Sequence, residues 1–240
     1  MKFVFIDETE NSTHVPGFYA VCAVAVDSTK YGLVRDAVDR ALDDCGWCRS
    51  IEFKGALIFS ATKGDSAVST ERRVDAASAI VSTTVSKANN RASSAIAWTD
   101  KGGSNHTHIE LVTEAVSRAL KAKPGVGAGK DLVMVFADTK DGIKRKTLSQ
   151  AVASAVNARG YRLVEDVVVV SSGCEWPGVL LADILAYLGM WTYAGHSMTD
   201  QQLSLFEGGK APSTSVLNKM TVVQAMLESG AALQFHPRLT

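Results

Sequence analysis

Lys2-Phe3-Val4-Phe5-Ile6-Asp7 and Leu132-Val133-Met134-Val135-Phe136-Ala137-Asp138 are two apolar runs that each stop on an aspartate, and the fold turns on reading both as strands. Val, Ile and Phe dominate them, as suits a pleated surface with buried faces. A third aspartate, Asp183, is the only charge between Gly178 and Trp191, a segment otherwise of Gly and apolar residues. An unpaired carboxylate in such settings costs several kcal/mol or takes up a proton. Three that converge repel one another by about 4 kcal/mol per pair at 4 Å and an effective dielectric near 20. A divalent cation removes that repulsion, so a metal-dependent hydrolytic site is the expectation to test.

Outward from these runs, Phe18–Asp27 reads as a second strand, and Tyr31–Asp44 as a helix through Leu33, Val34, Ala37, Val38, Ala41 and Leu42, closed by Gly46. Ser50–Ser60 reads as a third strand whose alternation puts Glu52 and Lys54 on one face. Helices and strands then alternate: Ser69–Ala88 helical, Ser94–Thr99 extended, Thr107–Lys121 helical, Leu132–Asp138 extended, Lys144–Arg159 helical, Tyr161–Val170 extended. Strands separated by helices of this length need crossover connections. The expected architecture is α/β: three antiparallel N-terminal strands, then parallel strands with crossover helices, in one domain over 1–240. Thr192–Ser215 is polar and reads as a surface excursion, and Val216–Ser229 as a last helix.

The chain has 240 residues, 46% hydrophobic and 21% charged, which is the composition of a globular protein with a real core. Its 25 basic and 25 acidic side chains cancel, which argues against a wholesale polyanion binder and leaves room for a local basic patch. Four cysteines (Cys22, Cys45, Cys48 and Cys174) are too few for a disulfide scaffold at this length and fit a reducing cytoplasm. The apolar start stops at Asp7, too soon for a signal peptide, and no run reaches the roughly 18 apolar residues that span a bilayer. A cytoplasmic protein without membrane attachment is expected.

Asp7 and Asp138 stand where strands are expected to end, and ligands of open α/β sheets bind beyond the carboxyl ends of strands. The segment around Asp183 is apolar nearly all round, which marks a buried helix able to carry one carboxylate across the sheet. Two divalent ions about 3.5–4 Å apart need such a cluster to clamp a phosphodiester, and all-oxygen donors favour Mg²⁺ or Mn²⁺. Plainer readings stand beside this one. Asp138-Thr139-Lys140-Asp141-Gly142 is itself turn-like, and Asp183 can be satisfied by a backbone N–H.

The ordered set Phe5-Ile6-Asp7-Glu8, Glu52-Phe53-Lys54-Gly55, Val135-Phe136-Ala137-Asp138 and Gly178-Val179-Leu180-Leu181-Ala182-Asp183 resembles the bacterial and phage family called domain of unknown function 3800. The resemblance implies a ribonuclease-H-like fold with Asp7, Glu52, Asp138 and Asp183 as metal ligands and nucleic acid as substrate. The chain departs from the family pattern at Thr9-Glu10, where Ser-Gly is usual, and at Val179 or Leu180, where Gln is usual. Beside Glu52, Lys54 is a candidate to position phosphate, against the reading of an exposed ion pair worth under about 1 kcal/mol. Lys140, Lys144, Arg145 and Lys146 follow Asp138 and are candidates for the phosphate backbone, against the reading of a solvated face. Cations at a helix start oppose its dipole, a cost that a bound phosphate would offset.

Other signals are weaker. Cys45-Gly46-Trp47-Cys48 ends a helix where a redox motif should open one, so ordinary thiols are expected. Gly125-Val126-Gly127-Ala128-Gly129-Lys130 fails the spacing of a phosphate loop. His106 and His108 near a helix start are expected as caps or solvent-exposed side chains. A haloacid-dehalogenase-like phosphatase with Asp7 as nucleophile would need an acid where Thr9 stands. A non-catalytic binding or inhibitor module that keeps only the fold is the remaining alternative.

Overall fold

A computed structural model describes residues 1–12, 15–60, 67–85, 89, 91–122, 131–138, 142–171, 173–206, 223 and 234–235; at 11, 12, 15, 16, 193–206, 234 and 235 it describes the backbone alone. In chain order the elements are β1 (Lys2–Ser12), β2 (Val15–Asp27), α1 (Tyr31–Cys45), α2 (Gly55–Ile58), α3 (Thr70–Thr84), β3 (Ala92–Thr99), α4 (Asn105–Ala119), β4 (Asp131–Asp138), α5 (Arg145–Ala158), β5 (Tyr161–Leu163), β6 (Val168–Val170), α6 (Pro177–Phe206) and β7 (Gln234–Phe235).

One mixed sheet carries them in the order β5-β4-β1-β2-β3-β7, with β6 also paired to β4. β2 runs antiparallel to β1 and β3, while β4 runs parallel to β1, β5 and β6. Three antiparallel strands and parallel ones reached through helices make the mixed α/β sheet expected from the sequence. Its twofold alternation divides the core in two. Phe5, Cys22, Val24 and Ile96 face α1, α3 and α6, whereas Val4, Ile6, Val21 and Val135 face α4 and α5. Thus both faces are covered, which explains why Phe3–Ile6 of β1, and most of β2 and β4, are continuous apolar runs rather than alternating ones.

Three expectations are corrected. Ser50–Ser60 is not a strand, and β3 takes the place of the third antiparallel strand. The segment passes from a turn at Ser50 and a bend at Ile51 to an extended Lys54 and then into the short α2, and buried Phe53 packs edge-on against Trp47 at 5.0 Å rather than joining the ladder. Tyr161–Val170 is two short strands, β5 and β6, interrupted at 164–167. The expected excursion at 192–215 is helical through Phe206, continuing α6 to 30 residues. The predicted helix Val216–Ser229 and the loop Gly125–Lys130 lie outside the described residues, save Val223, which packs against the core. Among the described residues no helix is long and apolar enough to cross a membrane.

Candidate active site

The parallel ladder between β1 and β4 ends at the pair Ile6 and Ala137, and the next residues are Asp7 and Asp138. Beyond that point β1 runs on to Ser12 against β2 alone, with Asp7 opposite Cys22. So Asp7 is not at a strand end, as the sequence suggested; it stands where β1 and β4 part. By alternation it shares the face of Phe5, and Asp138 that of Phe136, the face covered by α6.

What lets α6 come close is Gly178. A Cβ there would lie 2.3 Å from the Phe5 ring, so α6 crosses β1 at a distance only glycine permits. Five residues later α6 carries Asp183. Its Oδ2 accepts a hydrogen bond from the backbone N–H of Gly55 at 2.6 Å. Gly55 in turn sits against Tyr187, one helical turn beyond Asp183, where a Cβ would meet the Tyr187 Cβ at 2.6 Å. Tyr187 stacks on Phe59 at 5.6 Å, which clamps α2 to α6. Arg73, buried on α3, fixes the same turn from behind by donating to the carbonyls of Leu57 and Ser60 and to Thr70 Oγ1.

Glu52 and Lys54 flank buried Phe53 on the extended segment entering α2, so both point away from the core, joined as an ion pair of 3.0 Å. Lys54 is exposed, so the pair alone contributes under about 1 kcal/mol.

Electrostatics tie these groups together. Burial pushes the Asp7 carboxyl well above the usual range, with Asp183, Asp138 and Glu8 raising it further and the Glu8 N–H, 2.7 Å from Oδ1, opposing. Asp7 is 7% exposed and sits among apolar strands, hence the size of the burial effect. Asp183 retains some surface as a residue, but its carboxylate is enclosed; burial raises it first, the Gly55 N–H opposes, and Glu52 and Asp138 raise it against Lys54, to about 6. For Lys54, burial lowers the pKa, but the Glu52 hydrogen bond and charge, then Asp183 and Asp138, leave it raised. Cys22, beneath the group, is pushed up by burial and then by Asp7 and Asp183. Asp7, Glu52, Lys54, Asp138 and Asp183 therefore share one neighbourhood of net negative charge. Among the described residues, however, no group of three or more His, Cys, Asp or Glu side chains is drawn together closely enough to hold a metal ion.

The remaining candidates stand on other segments of the chain. Lys144, Arg145 and Lys146 are exposed at the start of α5, where Arg145 Nε donates to the Val167 carbonyl at 2.9 Å; Lys140 lies outside the described residues. His106 pairs with Glu110 in solvent as expected, whereas His108 is buried, its Nδ1 2.5 Å from Tyr19 Oη on the opposite face of the sheet. All four cysteines are free thiols, and Cys45 ends α1. Gly55, Gly178 and Arg73 were missed by sequence reading. The two glycines had a legible signal, each standing one or five residues from a candidate ligand in an otherwise well-packed motif.

No family model matches the chain, and no curated protein matches its sequence. Among solved structures it is similar to a chain of the PCNA–RNase HII complex from Archaeoglobus fulgidus, at 16% identity and a TM-score of 0.44, over 100% of this chain and 96% of that one.

Proposed function

We propose that the chain is a divalent-metal phosphodiesterase acting on nucleic acid, with Asp7, Asp138 and Asp183 as metal ligands, Glu52 completing the set and Lys54 positioning phosphate. The observation that carries this reading is the convergence of three costly carboxylates, from β1, β4 and α6, at the place where the β1–β4 ladder opens. Stability alone does not favour such a cluster, because Asp183 and Asp138 raise Asp7, and Asp138 raises Asp183. The motif order shared with domain of unknown function 3800 points the same way.

The donor set fits hard cations: it is all oxygen, anionic and repelled from within, the profile that suits Mg²⁺ or Mn²⁺, and two ions would neutralise it. Such ions, when bound, supply Lewis acidity toward water and the phosphodiester oxygens. The chain's own residues do the rest. The Gly55 N–H holds one oxygen of Asp183, fixing the rotamer of the carboxylate. The β1–β4 ladder brings Asp7 and Asp138 to the positions that follow its last pair, Ile6 and Ala137. The segment bearing Glu52 and Lys54 rests on α6 through Gly55 and Tyr187, and Lys54 offers an exposed ammonium to a phosphate oxygen. Ion binding would draw the carboxylates closer than they stand.

Incubation with labelled RNA and DNA in Mn²⁺ or Mg²⁺ tests the proposal. Cleavage should be lost on addition of EDTA and in both Asp7→Asn and Asp138→Asn; cleavage that survives either substitution overturns it. The non-catalytic module gains from the spacing of the acids as they stand, and a thermal shift separates the two readings. Millimolar Mn²⁺ should raise the melting temperature of a metal enzyme and leave that of an inert module where it was.

A further inference from the structure

Beside the acids lies a row of four aromatic rings. Tyr31 stacks on Phe5 with centroids 5.3 Å apart and planes 20° apart, and Phe5 stacks on Phe136 at 5.2 Å and 17°. Trp176 leans on Phe136 at 5.6 Å and 35°. Phe5 is buried, while Phe136 and the terminal ring, Trp176, keep exposed surface.

Two of the three partly exposed rings, Phe136 and Trp176 (Tyr31 is the third), are tied by the backbone to proposed ligands. Phe136 precedes Asp138 by two residues on β4, hence on the same face and about 7 Å away along the strand. Trp176 stands just before α6 begins at Pro177, seven residues ahead of Asp183 and about 10 Å from it along the helix axis. Its place is fixed, because its carbonyl accepts the N–H groups of Val179 and Leu180 as α6 begins.

We propose that Trp176, backed by Phe136, is a stacking platform for an unpaired base, so that the site takes single-stranded nucleic acid. The inference rests on the phosphodiesterase reading above. A base can use an aromatic face only when its own face is uncovered, which excludes a base inside a duplex stack. The short backbone distances from each ring to an acid place a stacked base within reach of a phosphate held at the carboxylates. Lys54, exposed and close enough to act on Asp183, supplies the charge for the backbone.

Fluorescence anisotropy of labelled single-stranded DNA and RNA, and of the same strands in duplex, with Ca²⁺ replacing the active cation, tests it on the full chain. The wild type should bind single strands about tenfold or more tighter than duplex. Trp176→Leu, which keeps an apolar contact to Phe136, should weaken single-strand binding about tenfold, the scale of one stacked base, and leave duplex binding unchanged. Its Mn²⁺ thermal shift should match that of the wild type. Single-strand affinity unchanged in Trp176→Leu overturns the platform; if Mn²⁺-dependent cleavage persists, the phosphodiesterase reading stands without it. Absence of both a Mn²⁺ shift and oligonucleotide binding removes the phosphodiesterase reading, and the platform with it. An abasic scan along the strand on the wild type needs no variant: affinity should fall at one or two positions, and a uniform response overturns the platform.

Discussion

Asp183→Asn should make the metal-free protein more stable at neutral pH, the reverse of what removing a buried hydrogen-bonded group usually does. The Asp183 carboxyl is raised from 3.8 to about 6, chiefly by burial, with the Gly55 N–H and Lys54 opposing and Glu52 and Asp138 adding to it. Well below pH 3.8 the group is protonated whether folded or not and contributes no pH dependence. As pH rises from about 4 to 6 the unfolded chain releases its proton first while the folded chain keeps it, so stability falls. Above pH 6 the loss is complete and constant. At about 1.4 kcal/mol for each factor of ten, the displacement from 3.8 to about 6 amounts to about 3 kcal/mol. The asparagine cannot ionise and keeps an oxygen to accept the Gly55 N–H. In EDTA at pH 8 the variant should therefore gain up to about 3 kcal/mol, on the order of 5–10 °C for a chain this long. At pH 4 the gain should shrink to under about 1 kcal/mol. Thermal unfolding by circular dichroism at pH 4, 5, 6, 7 and 8 reads this directly. Mn²⁺ at a hundred times its dissociation constant should return about 2.7 kcal/mol to the wild type and little to the variant. A variant less stable than wild type at pH 8, or a gap flat from pH 4 to 8, refutes the reasoning, since it would mean that the native fold favours the charged carboxylate.

Two further perturbations address the scaffold. Gly178→Ala adds a Cβ 2.3 Å from the Phe5 ring, so despite alanine's better helix propensity it should cost about 1–3 kcal/mol in urea denaturation, and by lifting α6 from β1 it should also abolish the Mn²⁺ shift. Arg73→Met leaves the carbonyls of Leu57 and Ser60 without their buried donor and should cost about 3 kcal/mol, with hydrogen exchange at the Gly55 amide rising well beyond the change at β2 amides.

The strands carrying Asp7 and Asp138 were legible because a doubly covered sheet demands long apolar runs, and only a polar residue with a special reason interrupts one. The same logic marked Asp183 in a helix apolar on every side. Ser50–Ser60 deceived because an extended backbone and a buried Phe53 look alike in a strand and in a segment docked on helices; only the tertiary partner, α6, distinguishes them. Phe206, well beyond the polar onset at Thr192, still lies within α6, so composition there marked a change of surroundings and not of backbone. His108 was misplaced for a related reason. Burial beside Tyr19 depends on α4 lying over β2, which no local spacing records.

Where Asp7 stands follows from the same alternation that builds the core. Phe3 and Phe5 go to the α6 face, so the next residue on that face is position 7, just where β4 ends its ladder with β1. A shift of one residue in β1 would send Asp7 into the apolar layer beneath α4 and bring Ile6 to the opening, exchanging every side chain between the two cores. Phe5 ties the register to the helix: its ring lies where a Cβ on Gly178 would be, and Asp183 is five residues further along α6. The carboxylates therefore cannot be relaxed apart without uncoupling Phe5 from Gly178. The repulsion among them is held in place by apolar packing, and either protonation or a bound cation would relieve it while leaving the packing intact.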